Sequence, residues 1–387
     1  MKKLRILWAS AGIHTNSGYG RVARAVTTRL KNLGYDIINF NPHLLVSPCY
    51  IEDILQLPRG FSQFGEDTIP TYYKLYNRNL LLTLWDVWVL RWIKKYELNW
   101  IPYVPIDSEL DEYTYEINEP LNYEQCKAVI TMSEFGRREV KKVLKSDKPV
   151  FMIPHGVDTK LYKPMDKRSA RKVLGIPEDS FVFGCVAGNY GDRKDLPCLL
   201  KAFSLFLKDN PDARDCYLLL WTNVQPITGA SFDILRLAKR YGVAKQVLTP
   251  KVQPPTAFYD DSTMVYVFNS MNWHVLATRG EGFCLPVIES MSCGVPNIVP
   301  KHSALVELVE GRGILVEPSM RILTLTVPTH QEYPVCRPER VAEAMSRAYN
   351  MNVEKLSRTC RKFAEKYDWD LIIKRWVSVL EAVEELI

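Results

Sequence analysis

Short apolar runs alternate with longer amphipathic stretches along this 387-residue chain. Leu4–Ala9 is an apolar run of strand length, followed by a loop containing Gly12, Gly18 and Gly20. Arg21–Leu33 then repeats its apolar positions at helical spacing and stops at Gly34, and Asp36–Phe40 returns to a strand pattern. Further on, Ala128–Met132 reads as a buried strand, and Ser133 is placed to cap a helix over Glu134–Leu144. Strands are predicted at Val150–Ile153, Phe181–Ala187, Gln246–Thr249 and Met264–Phe268, with a helix over Leu196–Phe206. Near the end, Trp376, Val379, Leu380 and Val383 form an apolar stripe at helical spacing, a packing face. Strand–helix–strand alternation is the mark of a parallel α/β architecture, and the first βαβ unit has the form of a nucleotide-binding half-domain.

Length and composition sharpen this picture. A chain of 387 residues exceeds the size at which single cores stop growing, so two domains are expected. With 47% hydrophobic and 24% charged residues the composition is that of a globular protein, not of a disordered or fibrous one. The net charge of +6 permits anionic partners without demanding them. Nine cysteines, an odd number without a CxxC pair or zinc-ligand spacing, read as reduced thiols of a cytoplasmic protein. Leu4–Ala9 is too short for a secretory signal, and Leu80–Ile93 is interrupted by Asp86 and Arg91 and falls short of the ~20 residues of a membrane span. Peripheral membrane association stays open. Glu134–Leu144 has a basic face, and Trp85–Tyr96 interleaves Trp85, Trp88 and Trp92 with Arg91, Lys94 and Lys95. The favoured reading of both is a solvated basic face beside a core-packed aromatic stripe. No nucleic-acid-binding motif accompanies the charge, so no nucleic acid is expected as a partner.

The chemistry concentrates in Arg279–Pro296, RGEGFCLPVIESMSCGVP. Glu281 and Glu289 stand seven residues apart around a loop of Gly282, Phe283 and Cys284, and Leu285-Pro286 marks a helix start. Such a helix offers unpaired N–H groups and a partial positive charge to a phosphate. Glu289, expected in its first turn, would repel phosphate and suits a sugar diol, whose two hydroxyls donate together to one carboxylate. A second loop, Gly188–Gly191, leads through Asp192, Arg193 and Lys194 into the helix Leu196–Phe206. Adjacent cations at a loop-to-helix junction neutralise a diphosphate. Asp260-Asp261 precedes a predicted strand and reads as a solvated pair; no DxD-type cluster is placed to hold a metal, and none is expected.

The segment EGFCLPVIESMSCGVP resembles the donor-site signature of retaining GT-B glycosyltransferases, family 4 (the glycosyl transferases group 1) most of all. The resemblance implies an α/β fold of two Rossmann-like domains facing a cleft. The expected domains are residues 1–157, which hold the acceptor and are completed by a C-terminal helix over 370–387, and residues 158–369, which bind the sugar nucleotide. It implies that Glu281 contacts the transferred sugar, Glu289 the ribose, Arg193 and Lys194 the diphosphate, and Gly18 and Gly20 the donor phosphates. Gly282, Phe283, Cys284 and Leu285 complete the donor loop, and Lys251 and Val252 fall where relatives pack the nucleobase. Asp107, at the end of an apolar stretch, is a candidate for polarising a hydroxyl where many relatives carry histidine; His14 is another candidate, and Thr278 and Arg279 adjoin the sugar pocket. His155-Gly156-Val157-Asp158 resembles the Asn-Gly-Val-Asp segment at the domain crossing. Two departures stand out: Cys284 replaces the usual glycine, and Gly188-Asn189 replaces the usual Gly-Arg.

The implied activity is metal-independent, retaining transfer of a hexose-type sugar from a UDP-, GDP- or ADP-sugar to an acceptor hydroxyl, with no cofactor. The acceptor, whether glycan, lipid or small molecule, is open. A sugar phosphorylase, a sugar-nucleotide epimerase and a non-catalytic sugar-nucleotide-binding protein are the alternatives on the same fold.

Overall fold

A computed structural model describes residues 4–189, 191–226, 231–251, 259–323 and 328–387, so Tyr190 and Val252 lie outside the described residues. The chain divides into two compact units. The first takes Met1–Gly156, Val327–Gln331 and Trp369–Ile387; the second takes Val157–Thr326 and Glu332–Asp368.

In chain order the first unit contains β1 (Arg5–Ala9), α1 (Gly18–Asn32), β2 (Asp36–Asn41), β3 (Cys49–Ile51), β4 (Ile54–Pro58), α2 (Ile69–Leu75) and β5 (Leu80–Thr83). A 3₁₀ stretch, Val87–Lys95, leads to β6 (Trp100–Val104), α3 (Tyr115–Leu121), β7 (Val129–Thr131), α4 (Glu134–Val143) and β8 (Val150–Met152). The eight strands form one sheet in the order β3-β4-β2-β1-β5-β6-β7-β8, parallel except for the β3–β4 hairpin. Its strands read as near-continuous apolar runs because helices cover both faces of such a sheet. α1 begins three residues earlier than the apolar pattern implied. Ser17 caps it by accepting from the Gly20 N–H, so Gly18 and Gly20 lie in its first turn, not in a loop.

The second unit contains α5 (Lys167–Leu174), β9 (Phe181–Val186), α6 (Leu196–Asp209), β10 (Cys216–Trp221), α7 (Ile234–Arg240), β11 (Val247–Leu248), α8 (Asp261–Ser270), β12 (Trp273–Val275) and α9 (Leu285–Ser292). β13 (Asn297–Pro300), α10 (Ala304–Val309), β14 (Gly313–Val316), the hairpin β15 (Met320–Leu323) and β16 (Glu332–Val335), α11 (Pro338–Tyr349) and α12 (Glu354–Ala364) complete it. Its six-stranded sheet is parallel, in the order β11-β10-β9-β12-β13-β14. One prediction fails: Met264–Phe268 is not a strand but the middle of α8. Asp260 caps that helix through the Thr263 N–H, so the acidic pair is a helix start.

α13 (Trp369–Glu384) returns to the first unit and packs its apolar stripe there. The Trp376 ring meets Trp8 at 5.6 Å and Tyr103 at 5.0 Å between centroids. Tyr103 donates its hydroxyl proton to the Ile153 carbonyl (2.8 Å), and the His155 ring Nδ1 lies 2.7 Å from the same hydroxyl. Burial holds His155 neutral, with its pKa lowered to about 3. Where the resembling segment has asparagine, this chain thus has a core histidine. Gly156 follows because its Cα faces the Trp369 indole; a Cβ there would come within 2.5 Å of the ring. Gly156→Ala is expected to destabilise the first unit by about 1–3 kcal/mol through overpacking, measured by denaturant unfolding against the wild type.

The aromatic stripe Trp85–Tyr96 is a core feature: Trp85 and Trp92 are buried, with Trp85 packed edge-on against Phe40 and Phe64. Arg91 and Lys94 on its outer side pair with Glu119, and Lys95 with Glu66. No helix among the described residues is long and apolar enough to cross a membrane.

Candidate functional site

In the second unit, the strand order reverses between β9 and β12. β9 is followed in sequence by its neighbour on one side, β10, while β12 lies on its other side. Loops leaving the carboxyl ends of such a pair diverge and leave a crevice, the general ligand position of open parallel sheets. The two sequence motifs are these loops. Arg193 and Lys194 lie between β9 and α6, and Glu281 through Cys284 between β12 and α9, which Leu285 opens.

The loops are stapled together. The Arg279 N–H donates to the Arg193 carbonyl (2.7 Å), and an Arg193 Nη1–H donates to the Gly280 carbonyl (2.5 Å). The Arg279 guanidinium is engaged by Asp192 and by Asp195 Oδ2, the latter at 3.1 Å. Asp195 also caps α6 at the Cys198 N–H. Arg279 therefore acts within this structure as a clamp between loops.

Glu281 is the hub. Lys194 Nζ donates to its Oε1 at 2.5 Å, the Thr278 hydroxyl reaches the same oxygen at 2.8 Å, and Arg193 Nη1 lies 3.3 Å from Oε2. The Glu281 N–H donates to Ser303 Oγ at 3.2 Å. Burial by itself would raise the pKa of this carboxyl; the charges of Lys194 and then Arg193 overcome it and pull the value down to about 2. Glu281 is therefore ionised at every working pH. The linkage sign follows from a lowered folded-state pKa. Its stabilisation is present above the ordinary carboxyl value of 4.5 and is lost as pH falls toward 2. The stability gap between wild type and Glu281→Gln, about 3 kcal/mol at most, is expected to shrink between pH 5 and pH 3 in thermal melts.

Three residues around this hub hold left-handed backbone without being glycine: Asp195 (φ +43°), Cys284 (φ +84°) and Ser303 (φ +51°). Such conformations cost of order 1–3 kcal/mol each and persist where the surroundings over-determine them. Cys284 is thus the replaced glycine in both senses. It keeps the glycine-type backbone, stands immediately before α9, and buries its thiol, whose pKa rises well above the usual range. Leu285 and Pro286 open α9 as expected. Glu289 is the fifth helical residue, not a first-turn one, and is 2% exposed. Gly282 and Phe283 are buried, the Phe283 ring lying 6.0 Å from that of Tyr367.

Asn189 has a structural task. Its Nδ2 donates to the Asn223 and Phe232 carbonyls (2.8 and 2.7 Å), and its Oδ1 accepts from the Phe232 N–H (3.0 Å). Under the hub, His274 is fully buried. Its Nε2 accepts from the Val186 N–H (3.2 Å), so Nδ1 carries the proton toward Asn297 Oδ1 (2.7 Å), and burial lowers its pKa to about 4.

Not every candidate joins this cluster. Lys251 is exposed, its ammonium beside Gly175 at the end of α5, and it makes no hydrogen bond or ion pair with Glu281, Arg193 or Lys194. Asp107 is half-buried in the first unit, three residues beyond β6. Its neighbour Ser108 accepts from Gln331 Nε2 at 2.9 Å. Gly18, Gly20 and His14 also belong to the first unit, at the carboxyl end of β1. Ser303 and Asp195 were not found from the sequence. Asp195 had a signal, an acidic cap before Leu-Pro; Ser303 had none, because its role depends on a chain reversal after β13.

Residues 166–322, which include both loops, match the family model of the glycosyl transferases group 1. The D-inositol 3-phosphate glycosyltransferase of Segniliparus rotundus is 29% identical over 169 residues, covering 43% of this chain and 35% of that protein. The probable sucrose-phosphate synthase of Thermosipho melanesiensis is 24% identical over 239 residues, covering 60% of this chain and 47% of that protein. The matched segments thus span less than half the length of these relatives. Among solved structures, sucrose-phosphate synthase of Thermosynechococcus elongatus superposes with a TM-score of 0.80 at 17% identity, covering 100% of both chains. The Anabaena protein HepE in complex with UDP-glucose superposes with a TM-score of 0.74 at 13% identity, covering 97% of this chain and 99% of that one. The fold is that of the GT-B glycosyltransferases, with two Rossmann-like units. Within it, residues 166–322 form a group 1 glycosyltransferase segment, as the resemblance of Arg279–Pro296 implied.

Proposed function

We propose that the chain is a retaining glycosyltransferase that moves a sugar from a nucleotide diphosphate to an acceptor hydroxyl without a metal ion. The observation that carries this reading is the Lys194–Glu281–Arg193 cluster at the β9/β12 switch point. Cleavage of a glycosyl–phosphate bond places negative charge on the departing diphosphate. Lys194 has three N–H donors, one of which is directed at Glu281, and Arg193 beside it lies on the same loop, which is bonded to the loop that opens α9. Charges held in advance by such a network lower the barrier because nothing must reorganise as the bond breaks.

Glu281, ionised and fixed through Thr278 and Ser303, holds a hydroxyl of the transferred sugar. Glu289 accepts from the ribose diol. In a front-face mechanism the acceptor hydroxyl attacks beside the leaving phosphate oxygen, which takes up its proton, so neither glutamate serves as a nucleophile. Asp107 polarises the acceptor hydroxyl. The HepE complexes with UDP and UDP-glucose make UDP-sugars the first donors to try, ahead of GDP- and ADP-sugars.

The test is release of nucleoside diphosphate across a panel of UDP-, GDP- and ADP-sugars with mixed acceptors, with and without chelator. Chelator-insensitive release from one donor class, with the anomeric configuration of the product retained, supports the reading. Thermal stabilisation by a donor without release would favour a binding protein, and phosphate-dependent cleavage of a disaccharide a phosphorylase.

A further inference from the structure

Three cation-forming side chains converge in the first unit on the loops that follow β1, β2 and β4, His14 on the connection that leads to Gly18 and Gly20. His14 follows β1, His43 follows β2 and Arg59 follows β4, three neighbouring strands whose carboxyl ends point the same way. Their hydrogen bonds fix which atoms face outward. The His43 N–H donates to Asn41 Oδ1 (3.0 Å), which identifies the other end of that amide as the NH₂ group. Asn41 Nδ2 lies 3.3 Å from His14 Nδ1 and donates to it, so the His14 proton sits on Nε2. The Gly12 N–H donates to His43 Nδ1 (3.3 Å), and the His43 proton is likewise on Nε2.

The two rings stand edge to face with centroids 6.1 Å apart, each presenting an N–H donor. Arg59 is tied to the same loop through its N–H to the Leu44 carbonyl (3.0 Å), and its Nε is buried without a hydrogen-bond partner. Burial, His14 and Arg59 together depress the His43 pKa, which places all three groups within electrostatic reach of each other. Among the described residues none of the three pairs with a carboxylate. A site made of donors, with no acceptor and no counter-charge, takes an anion.

We infer that His14, His43 and Arg59 form a phosphate-binding site of the first unit, which holds a phosphate group carried by the acceptor. The Arg59 guanidinium supplies the planar pair of donors that suits two phosphate oxygens, and the imidazole N–H groups add donors to the remaining ones. Beside the site, Leu45, Val46 and Phe61 are exposed, Phe61 fully, and the Arg59–Leu44 hydrogen bond brings their two loops together. The phosphate therefore belongs either to a small soluble acceptor or to a lipid headgroup whose chain meets this rim; the recognition chemistry is the same. Only the ligand's role as acceptor rests on the glycosyl-transfer reading. Binding measured without a donor tests the site by itself.

The full chain is titrated with glycerol 3-phosphate by calorimetry and sedimented with phosphatidylcholine vesicles containing phosphatidate. Both arms are run in wild type and in Lys194→Gln, which removes one cation from the loop proposed to bind the donor diphosphate in the second unit. Binding is expected in at least one arm and retained in Lys194→Gln. Arg59→Gln and His43→Gln are each expected to weaken it by about ten-fold or more, with thermal melts showing folded protein. His43 is exposed, so its variant reports even if that of Arg59 fails to fold. Soluble binding that Phe61→Ser leaves intact assigns a small phosphorylated acceptor; vesicle binding that falls with Phe61→Ser assigns a lipid phosphate. Binding lost in Lys194→Gln but kept in Arg59→Gln and His43→Gln overturns the site, as does no saturable binding below about 10 mM in either arm. Donor-dependent release in the same preparations reports separately on the glycosyl-transfer reading.

Discussion

Lys194→Ala is expected to lower the turnover number by about 10²–10³-fold, equivalent to ~3–4 kcal/mol of lost transition-state stabilisation. The size of the effect follows from where the ammonium sits. It is 14% exposed, so its field is little screened, and its hydrogen bond to Glu281 holds it in place before any ligand arrives. Steady-state kinetics with the donor identified by the panel would show the loss mainly in kcat, because the charge it meets develops as the bond breaks.

A purely structural role for Lys194 makes a different forecast. Removing the lysine leaves the buried Glu281 carboxylate with Arg193 and Thr278 alone, which is destabilising in its own right. The double variant Lys194→Met with Glu281→Gln removes both charges and is expected to recover much of the stability. It is not expected to recover turnover. Recovery of turnover along with stability would assign Lys194 to holding the loop and would sink the proposed role.

The parts of this molecule that were legible in the sequence are those with dense local chemistry. Arg279–Pro296 packs glycine, proline, cysteine and two glutamates around one loop, and the loop and helix emerge at the expected places. The parallel alternation was legible for the same reason, since apolar runs and glycine stops recur at short intervals. α8 was misread because Met264, Val265, Val267 and Phe268 are all buried, and an apolar run buried on every side carries no period. Its true signal was the cap at Asp260, read instead as a solvated pair. The hairpin β15–β16 carries exposed Met320 and Leu323 and so lacks the alternation that marks a half-buried strand. The aromatic stripe at Trp85–Tyr96 had two readings in the sequence, and packing against Phe40 and Phe64 selects the core one. What no local pattern carries is the hub itself. Lys194 reaches Glu281 across 87 residues only because β9 and β12 are neighbours, and Ser303 reaches it because β13 lies on the other side of β12.

Glu289→Ala is expected to raise the donor KM by about 100-fold, ~3 kcal/mol, with a smaller change in kcat. The estimate treats a carboxylate that accepts from two ribose hydroxyls as losing hydrogen bonds to a charged group, worth about 1.5–3 kcal/mol each, part of which water restores. Position in α9 supports the assignment of this role over that of a solvated helix residue. At 2% exposure it is not a solvated group, and its placement in the second turn sets it beyond the residues that open the helix. Burial, with Glu289 as the next cause, also raises the pKa of the Cys293 thiol one turn further on. Truncation to alanine leaves a cavity, and a loss of fold would mimic a loss of binding; Glu289→Gln preserves the volume and removes only the charge. The decisive comparison pairs each variant with a donor lacking the ribose 2′- or 3′-hydroxyl. Wild type is expected to discriminate against such a donor about as strongly as Glu289→Ala discriminates against the intact one, while the variant is expected to treat the two donors alike. Equal discrimination by wild type and variant would place the ribose elsewhere and leave Glu289 a helix residue with internal partners.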